Sequence, residues 1–223
     1  MKVSGLIAAG GIGKRFGAER PKQFLYLRGK PVIAWSIEAF QQVAYCEELV
    51  IVVPDGWQKT VEGIAKEFCR NIDYKIVVGG ASRAGSVLNG LKAVRSDVKW
   101  VAVHDAARPG IYPHQIEEAI LLSREVGASI VAMKAVDTIK IVDKEGLVIK
   151  TIPRSDVYLA QTPQVARVAD LLRAFSEDEN FLNATDESSI LERIGIPVGV
   201  VEGGINNLKI TRPEDLKILE VVL

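Results

Sequence analysis

Short Val- and Ile-rich runs alternate with helix-period segments through the first half of the chain, and this alternation constrains the fold most. Val3–Ala9, Glu48–Val53, Tyr74–Val78, Trp100–His104 and Ser129–Lys134 read as strands buried on both faces. Each is short, rich in Val and Ile, and bounded by Gly, Pro or Asp. Helices are expected at Pro31–Gln42, Trp57–Cys69, Ser82–Val94 and Pro113–Glu125. In the last, Ile116, Ala119, Ile120 and Ser123 share one helical face. Pro31 and Pro113 stand where a first helical turn tolerates a missing N–H. The pattern predicts an α/β fold: a three-layer, doubly wound, mostly parallel sheet with helices on both faces.

The alternation breaks after Lys134. Thr138–Val142 and Leu147–Thr151 read as extended segments joined by Asp143-Lys144-Glu145-Gly146, a hairpin signal. Ile139, Ile141, Val148 and Ile152 give this arm more apolar surface than an isolated two-stranded ribbon keeps in water, so a second subunit is expected to cover it. Helices at Val168–Phe175 and Asp186–Arg193 follow, then strands at Val198–Glu202 and Leu208–Thr211. A final helix opens on Thr211-Arg212-Pro213-Glu214, a capping-box match. One domain over residues 1–223, with a dimerisation arm at about 135–155 inserted in it, is the simplest partition.

Charge and cysteine usage narrow the functional classes. The 28 Lys and Arg balance 28 Asp and Glu, which argues against nucleic acid as a partner. No apolar run reaches the ~18 residues of a membrane span. Lys2 leads into Val3–Ala9 and then glycines, without a secretory apolar region and cleavage site. Cys46 and Cys69 are too few to staple a secreted scaffold or to build a metal site alone. A soluble cytoplasmic protein is expected.

Gly10-Gly11-Ile12-Gly13-Lys14-Arg15 follows the first strand. Glycines let backbone approach a phosphate closely, and successive N–H groups form an anion nest. The dinucleotide fingerprint fits poorly, because after Gly11-Ile12-Gly13 the next glycine, Gly17, comes one residue late, and no acid stands ~20 positions on. The Walker pattern fails as well, since no Gly-Lys-Ser/Thr closes the loop. Lys14, Arg15, Arg20 and Lys22 spaced along the loop suit a triphosphate. A bare solvated turn is the alternative at this point.

Further segments carry a resemblance. Ala8–Arg15 with Pro21-Lys22-Gln23 looks like the triphosphate loop of sugar-phosphate nucleotidyltransferases. Gly79–Val87 and His104-Asp105-Ala106-Ala107-Arg108-Pro109 narrow this to the sugar-phosphate cytidylyltransferase family. Gln161-Thr162-Pro163-Gln164, Ala184-Thr185-Asp186-Glu187 and Lys209–Leu216 follow in that family's order, so the resemblance spans nearly the whole chain. It is greatest to the branch acting on 2-C-methyl-D-erythritol 4-phosphate in the non-mevalonate isoprenoid pathway. It implies a nucleotide-diphospho-sugar transferase-like fold, a homodimer joined through the arm, Mg²⁺ or another divalent cation, and CTP with a sugar-alcohol phosphate as partners.

The implied reaction is attack by the acceptor's phosphate oxygen on the α-phosphorus of CTP, with pyrophosphate leaving. A phosphate monoester has a second pKa near ~6, so no general base is required. By resemblance, Arg15, Lys22, Arg154 and Lys209 are catalytic. CTP is expected at Ala8, Ala9, Gly10, Gly11, Gly13, Gly80, Arg83 and Ser86. Asp105, Arg108, Arg154, Thr162, Thr185 and Lys209 would meet the acceptor, with Asp105 on the metal. Arg154 would complete the partner subunit's site. His104 is read as a hydrogen-bonded structural residue and His114 as a surface residue; Arg83 could instead only pair with a neighbouring carboxylate.

Two departures accompany the resemblance. The double glycine of the first loop is also found in the related ribitol-5-phosphate cytidylyltransferases, which makes ribitol 5-phosphate the rival acceptor. Asn206 stands where many relatives carry an acid that helps hold the metal. Rivals of other classes are a non-catalytic nucleotide-binding scaffold and, weakened by the failed glycine spacing, a dehydrogenase.

Overall fold

A computed structural model describes residues 1–11, 21–178 and 181–223. Its framework is a seven-stranded sheet. In chain order the elements are β1 (Val3–Ala8), β2 (Tyr26–Leu27), β3 (Lys30–Pro31), α1 (Val32–Phe40), β4 (Cys46–Val53) and α2 (Gln58–Phe68). Then come β5 (Asp73–Val78), α3 (Arg83–Ala93), β6 (Trp100–Asp105), α4 (Pro113–Val126) and β7 (Ala128–Lys134). The arm is β8 (Ile139–Val142) and β9 (Val148–Ile152). Last are β10 (Tyr158–Arg167), α5 (Val168–Glu177), α6 (Glu187–Arg193), β11 (Val198–Glu202) and α7 (Pro213–Val222).

The sheet order is β11-β7-β10-β6-β1-β4-β5. β1 pairs in parallel with β4 on one side and β6 on the other, with Ala8 opposite Asp105. The chain winds outward from β1 to β4 and β5, then returns to lay β6 on the opposite flank. That reversal opens a crevice at the carboxyl ends of β1 and β6, where doubly wound sheets bind ligands.

Both faces of the sheet are buried, which explains why the strands read as unbroken apolar runs. Ile7, Leu49, Ile51 and Ala102 pack with Ile33, Ile37 and Phe40 of α1 and Ile116 of α4. Leu6, Val50, Val52 and Val103 pack with Val87 and Leu91 of α3, Leu171 of α5 and Ile190 of α6. Phe40 lies so close over β1 that a methyl group at Gly5 would stand 2.6 Å from its ring.

The structure corrects three readings. Residues 158–167, given no strand from sequence, form the central strand β10, antiparallel to both β6 and β7. Its Gln161, Thr162 and Gln164 are buried, and a proline interrupts them, so neither apolar content nor alternation marks a strand. Leu208–Thr211 is no strand: it follows a 3₁₀ turn at Ile205–Asn207, and the Ile210 N–H donates to the Ala107 carbonyl at 2.8 Å. The last helix is capped by Asp215 rather than Glu214, its Oδ2 accepting from the N–H groups of Thr211 and Arg212.

The arm forms as expected, β8 and β9 pairing antiparallel from Ile139 opposite Ile152 to Val142 opposite Val148. Its apolar side chains are uncovered in the single chain, with Leu147, Val148 and Ile149 60–67% exposed.

Phe40→Ala is expected to destabilise the fold by about 3–5 kcal/mol, because the cavity opens between α1 and β1. A urea midpoint that barely moves would contradict this placement of the core.

Candidate active site

The crevice is built from segments that leave the carboxyl ends of β1, β5 and β6, joined by the chain around β10, α6 and the approach to α7. After β1, Ala9 is buried and its N–H donates to the Val52 carbonyl at 2.7 Å. The buried Gln23 side chain donates to the carbonyls of Ala9 at 2.5 Å and Gly11 at 2.8 Å, fixing Gly10 and Gly11 at the mouth of the crevice. A methyl group at Gly10 would stand 2.7 Å from the Ser86 hydroxyl, so this turn needs glycine for close approach. Gly13 and Arg15 lie outside the described residues. Lys22 Nζ donates to the Ile210 carbonyl at 2.5 Å, joining the glycine loop to the segment that carries Lys209.

The nucleotide side continues at α3. Ser82 caps the helix, its hydroxyl accepting from the Gly85 N–H at 3.0 Å. The Ser86 hydroxyl donates to the Ser82 carbonyl at 2.8 Å and accepts from the Gly80 N–H at 3.0 Å. Gly10, Gly80, Arg83 and Ser86 therefore meet at one corner.

Asp105 ends β6 and is the electrostatic centre. It is buried, and three cations face it: Lys209 Nζ at 2.7 Å, Arg83 Nε at 3.0 Å and Arg108 Nε at 3.7 Å. Burial pushes its pKa up, but Arg83, Lys209 and Arg108 overcome that and hold the carboxyl well below the usual carboxylate range. Arg83 also grips Glu187, NH1 to Oε1 at 2.7 Å and NH2 to Oε2 at 3.0 Å. Arg83 thus does pair with neighbouring carboxylates, the contact that its alternative reading named.

β10 supplies the floor. Thr162 Oγ1 accepts from the Asp105 N–H at 3.1 Å and lies 2.9 Å from His104 Nδ1. The Arg108 carbonyl can only accept, so His104 Nε2 carries the proton donated to it at 3.0 Å, and in the neutral ring Nδ1 accepts from the Thr162 hydroxyl. His104 is thereby neutral and wholly committed: burial drives its pKa from 6.5 down to about 4. Its reading as a structural residue holds, as does that of His114, exposed and stacked on Tyr112. Burial also pushes the Cys46 and Cys69 thiols up to about 12 and 11, which makes both poor nucleophiles at neutral pH.

Arg108 is aimed by two carbonyls, NH1 donating to Asn207 at 2.9 Å and NH2 to Ala160 at 3.4 Å. Asn207, fully buried, donates to the Thr162 carbonyl at 2.8 Å. Asn206 instead donates its amide to the Gly110 carbonyl at 2.5 Å. Thr185 is exposed just before α6, whose cap Asp186 accepts from the Ser189 N–H at 3.1 Å and from Gln164 at 3.0 Å.

Among the described residues, Arg83, Asp105, Arg108, Thr162 and Lys209 form one connected cluster, and Lys22 is tied to it through Ile210. Arg154 is not in that cluster; it stands at the foot of the arm and donates to the Val136 carbonyl. Sequence reasoning gave no role to Gln23, Glu187 or Asn207, although the first two lie inside segments that carried the resemblance.

One carboxylate ringed by three cations, beside a glycine turn at a topological switch point, suits the meeting of two polyanions; fold and site define a nucleotidyltransferase. The chain belongs to the family of 2-C-methyl-D-erythritol 4-phosphate cytidylyltransferases, whose family model (IspD) matches residues 3–223. It is 39% identical to the 2-C-methyl-D-erythritol 4-phosphate cytidylyltransferase of Alkaliphilus oremlandii, over 100% of this chain and 95% of that one. Among solved structures, 4-diphosphocytidyl-2C-methyl-D-erythritol synthase from Anaerococcus prevotii superposes with a TM-score of 0.86 at 26% identity, covering 99% of this chain and 97% of that one. The 2-C-methyl-D-erythritol 4-phosphate cytidylyltransferase of Thermus thermophilus gives 0.80 at 29% identity, covering 100% and 98%.

The His104 environment sets a pH dependence of stability. As pH falls below 6.5 the unfolded chain takes up the proton before the folded one does. The contribution is full above 6.5 and is lost toward about 4, with a slope of about 1.4 kcal/mol per pH unit. Urea midpoints at pH 7 and 5 should differ less for His104→Gln than for the native chain; equal differences would place the proton uptake elsewhere.

Proposed function

We propose that the protein transfers CMP from CTP to 2-C-methyl-D-erythritol 4-phosphate, giving 4-diphosphocytidyl-2-C-methyl-D-erythritol and pyrophosphate in non-mevalonate isoprenoid synthesis. The observation that carries the reading is Asp105 held by Arg83, Lys209 and Arg108 at the switch point of a chain matched over residues 3–223 by that family. An acceptor phosphate oxygen bonds to the α-phosphorus while the bond to the bridging oxygen of pyrophosphate breaks. The acceptor arrives ionised, so no side chain need remove a proton. This agrees with His104 being neutral and fully hydrogen-bonded.

Catalysis then falls to position and charge. Gly10, Gly11, Gly80 and Ser86 frame the nucleotide, with Ala8, Ala9 and Gly13. Lys209 and Arg108 turn from Asp105 toward the incoming phosphates, and Lys22 and Arg15 stabilise charge on the α-phosphate and pyrophosphate. Thr162 and Thr185 bind the acceptor. Among the described residues no three His, Cys, Asp or Glu side chains cluster as a metal cage. Asp105 alone nevertheless suits Mg²⁺, an ion commonly held by one carboxylate together with substrate phosphates. When bound, the ion neutralises phosphate charge. Asn206 commits its amide nitrogen to the Gly110 carbonyl, so only its uncharged Oδ1 could serve a cation.

The working unit on this reading is a homodimer. The uncovered arm supports it, and Arg154 at the arm's foot would complete the partner subunit's site. A cytoplasmic location fits the neutral charge balance and the absence of any membrane-spanning helix among the described residues.

Pyrophosphate release from CTP and Mg²⁺ should be brisk with 2-C-methyl-D-erythritol 4-phosphate and at background with ribitol 5-phosphate; the reverse order would overturn the acceptor assignment. Lys209→Ala should lower kcat by roughly 10²–10³, the scale of losing one preorganised charge partner. Arg154→Ala should keep the dimer in sedimentation yet lose turnover, whereas a fully active monomer would remove the arm from the mechanism.

A further inference from the structure

Glu187 opens α6 and is 2% exposed, yet it is not the helix cap, since Asp186 fills that place. Both of its oxygens are spent on the terminal nitrogens of Arg83, at 2.7 and 3.0 Å. Arg83 opens α3, whose Ser86 holds the Gly80 N–H, and the remaining guanidinium nitrogen, Nε, donates to Asp105 at 3.0 Å. Three of its five donors are thus used within the protein.

The cations around Asp105 are therefore of two kinds. Among the described residues, Lys209 and Arg108 pair with no carboxylate but Asp105. Both can move to arriving phosphates without stranding a second charge. Arg83 is captive, because leaving Asp105 for a phosphate would break a buried bidentate pair and strand Glu187. When substrates draw the other two cations away, Arg83 stays behind as the partner that keeps Asp105 aimed.

We infer that Glu187 is a positioning residue for nucleotidyl transfer: it pins Arg83 against Asp105, and through that one buried pair it ties the acceptor segment at Thr185 to the nucleotide corner at Gly80. This rests on the function proposed above. Without Glu187 the guanidinium is released to pair with the triphosphate, leaving Asp105 free to turn.

The test begins with the native protein: no pyrophosphate release with either acceptor would overturn the functional reading and this inference with it, whereas native turnover leaves the variants below to decide the role of Glu187 alone. Glu187→Gln keeps the shape and removes the charge. It should lower kcat by about 10- to 100-fold, the range for residues standing behind a metal ligand. Mn²⁺ affinity in the presence of CTP and absence of acceptor, read by electron paramagnetic resonance, should weaken by a similar factor. Arg83→Lys, which keeps charge but loses the fork, should match it, and the double variant should be no worse than either single one. Unchanged Mn²⁺ affinity in folded Glu187→Gln, or losses that multiply in the double variant, would overturn the inference. If Glu187→Gln does not fold, the Mn²⁺ measurement on Arg83→Lys decides by the same criterion.

Discussion

A carboxylate as buried as Asp105 cannot stay ionised without partners, and the demand for them organises the site. The three cations that answer it come from separate stretches of chain: Arg83 from the start of α3, Arg108 from the turn after β6, and Lys209 from the approach to α7. Each stretch is drawn to the carboxyl edge of the sheet because its charge is needed there. Glu187 then extends the network to α6. The cations stand together because the fold has gathered them around one anion. Removing any of them changes both what holds the crevice together and what it can bind.

Beneath this ionic layer lies a neutral one. Thr162, His104 and Asn207 are buried polar groups whose hydrogen bonds run between β6, β10 and the segment before α7. The layer has a direction: Thr162 gives its proton to His104, which gives its own to the Arg108 carbonyl. Such a chain tolerates no charge on the imidazole and fixes the backbone from which Asp105 and Arg108 project. Close packing adds to the rigidity, since a methyl group at Gly110 would stand 1.9 Å from the Asn206 carbonyl oxygen.

The parallel part of the sheet was legible in sequence because burial on both faces writes itself as continuous Val and Ile. β4, β5, β6 and β7 differ from their expected bounds by one or two residues. The arm and most helices were legible for similar reasons, through turn residues and helical spacing. β10 was not, because only Val165 and Ala166 of its buried side chains are core apolar residues, while Gln161, Thr162 and Gln164 satisfy polar partners and Pro163 interrupts them. Leu208–Thr211 misled in the opposite sense: it has the composition of a strand but lies against the loop after β6. Of the site, the charged residues Lys22, Arg83, Asp105, Arg108 and Lys209 were visible through the resemblance. Gln23, Glu187 and Asn207, which serve other residues, were not, because a buried Gln, Glu or Asn has no local pattern. Arg154 is outside the cluster for a further reason, being placed at the foot of the arm, where it donates to the Val136 carbonyl.

The arm itself has a geometry worth following through. Successive side chains of a strand point to opposite faces of a ribbon. Leu147, Val148 and Ile149 are consecutive and all exposed, as are Ile141 and Val142 on the facing strand. The ribbon is therefore greasy above and below. A flat surface laid against one side would leave the other in water, so whatever receives this arm must close around it like a slot around a tongue.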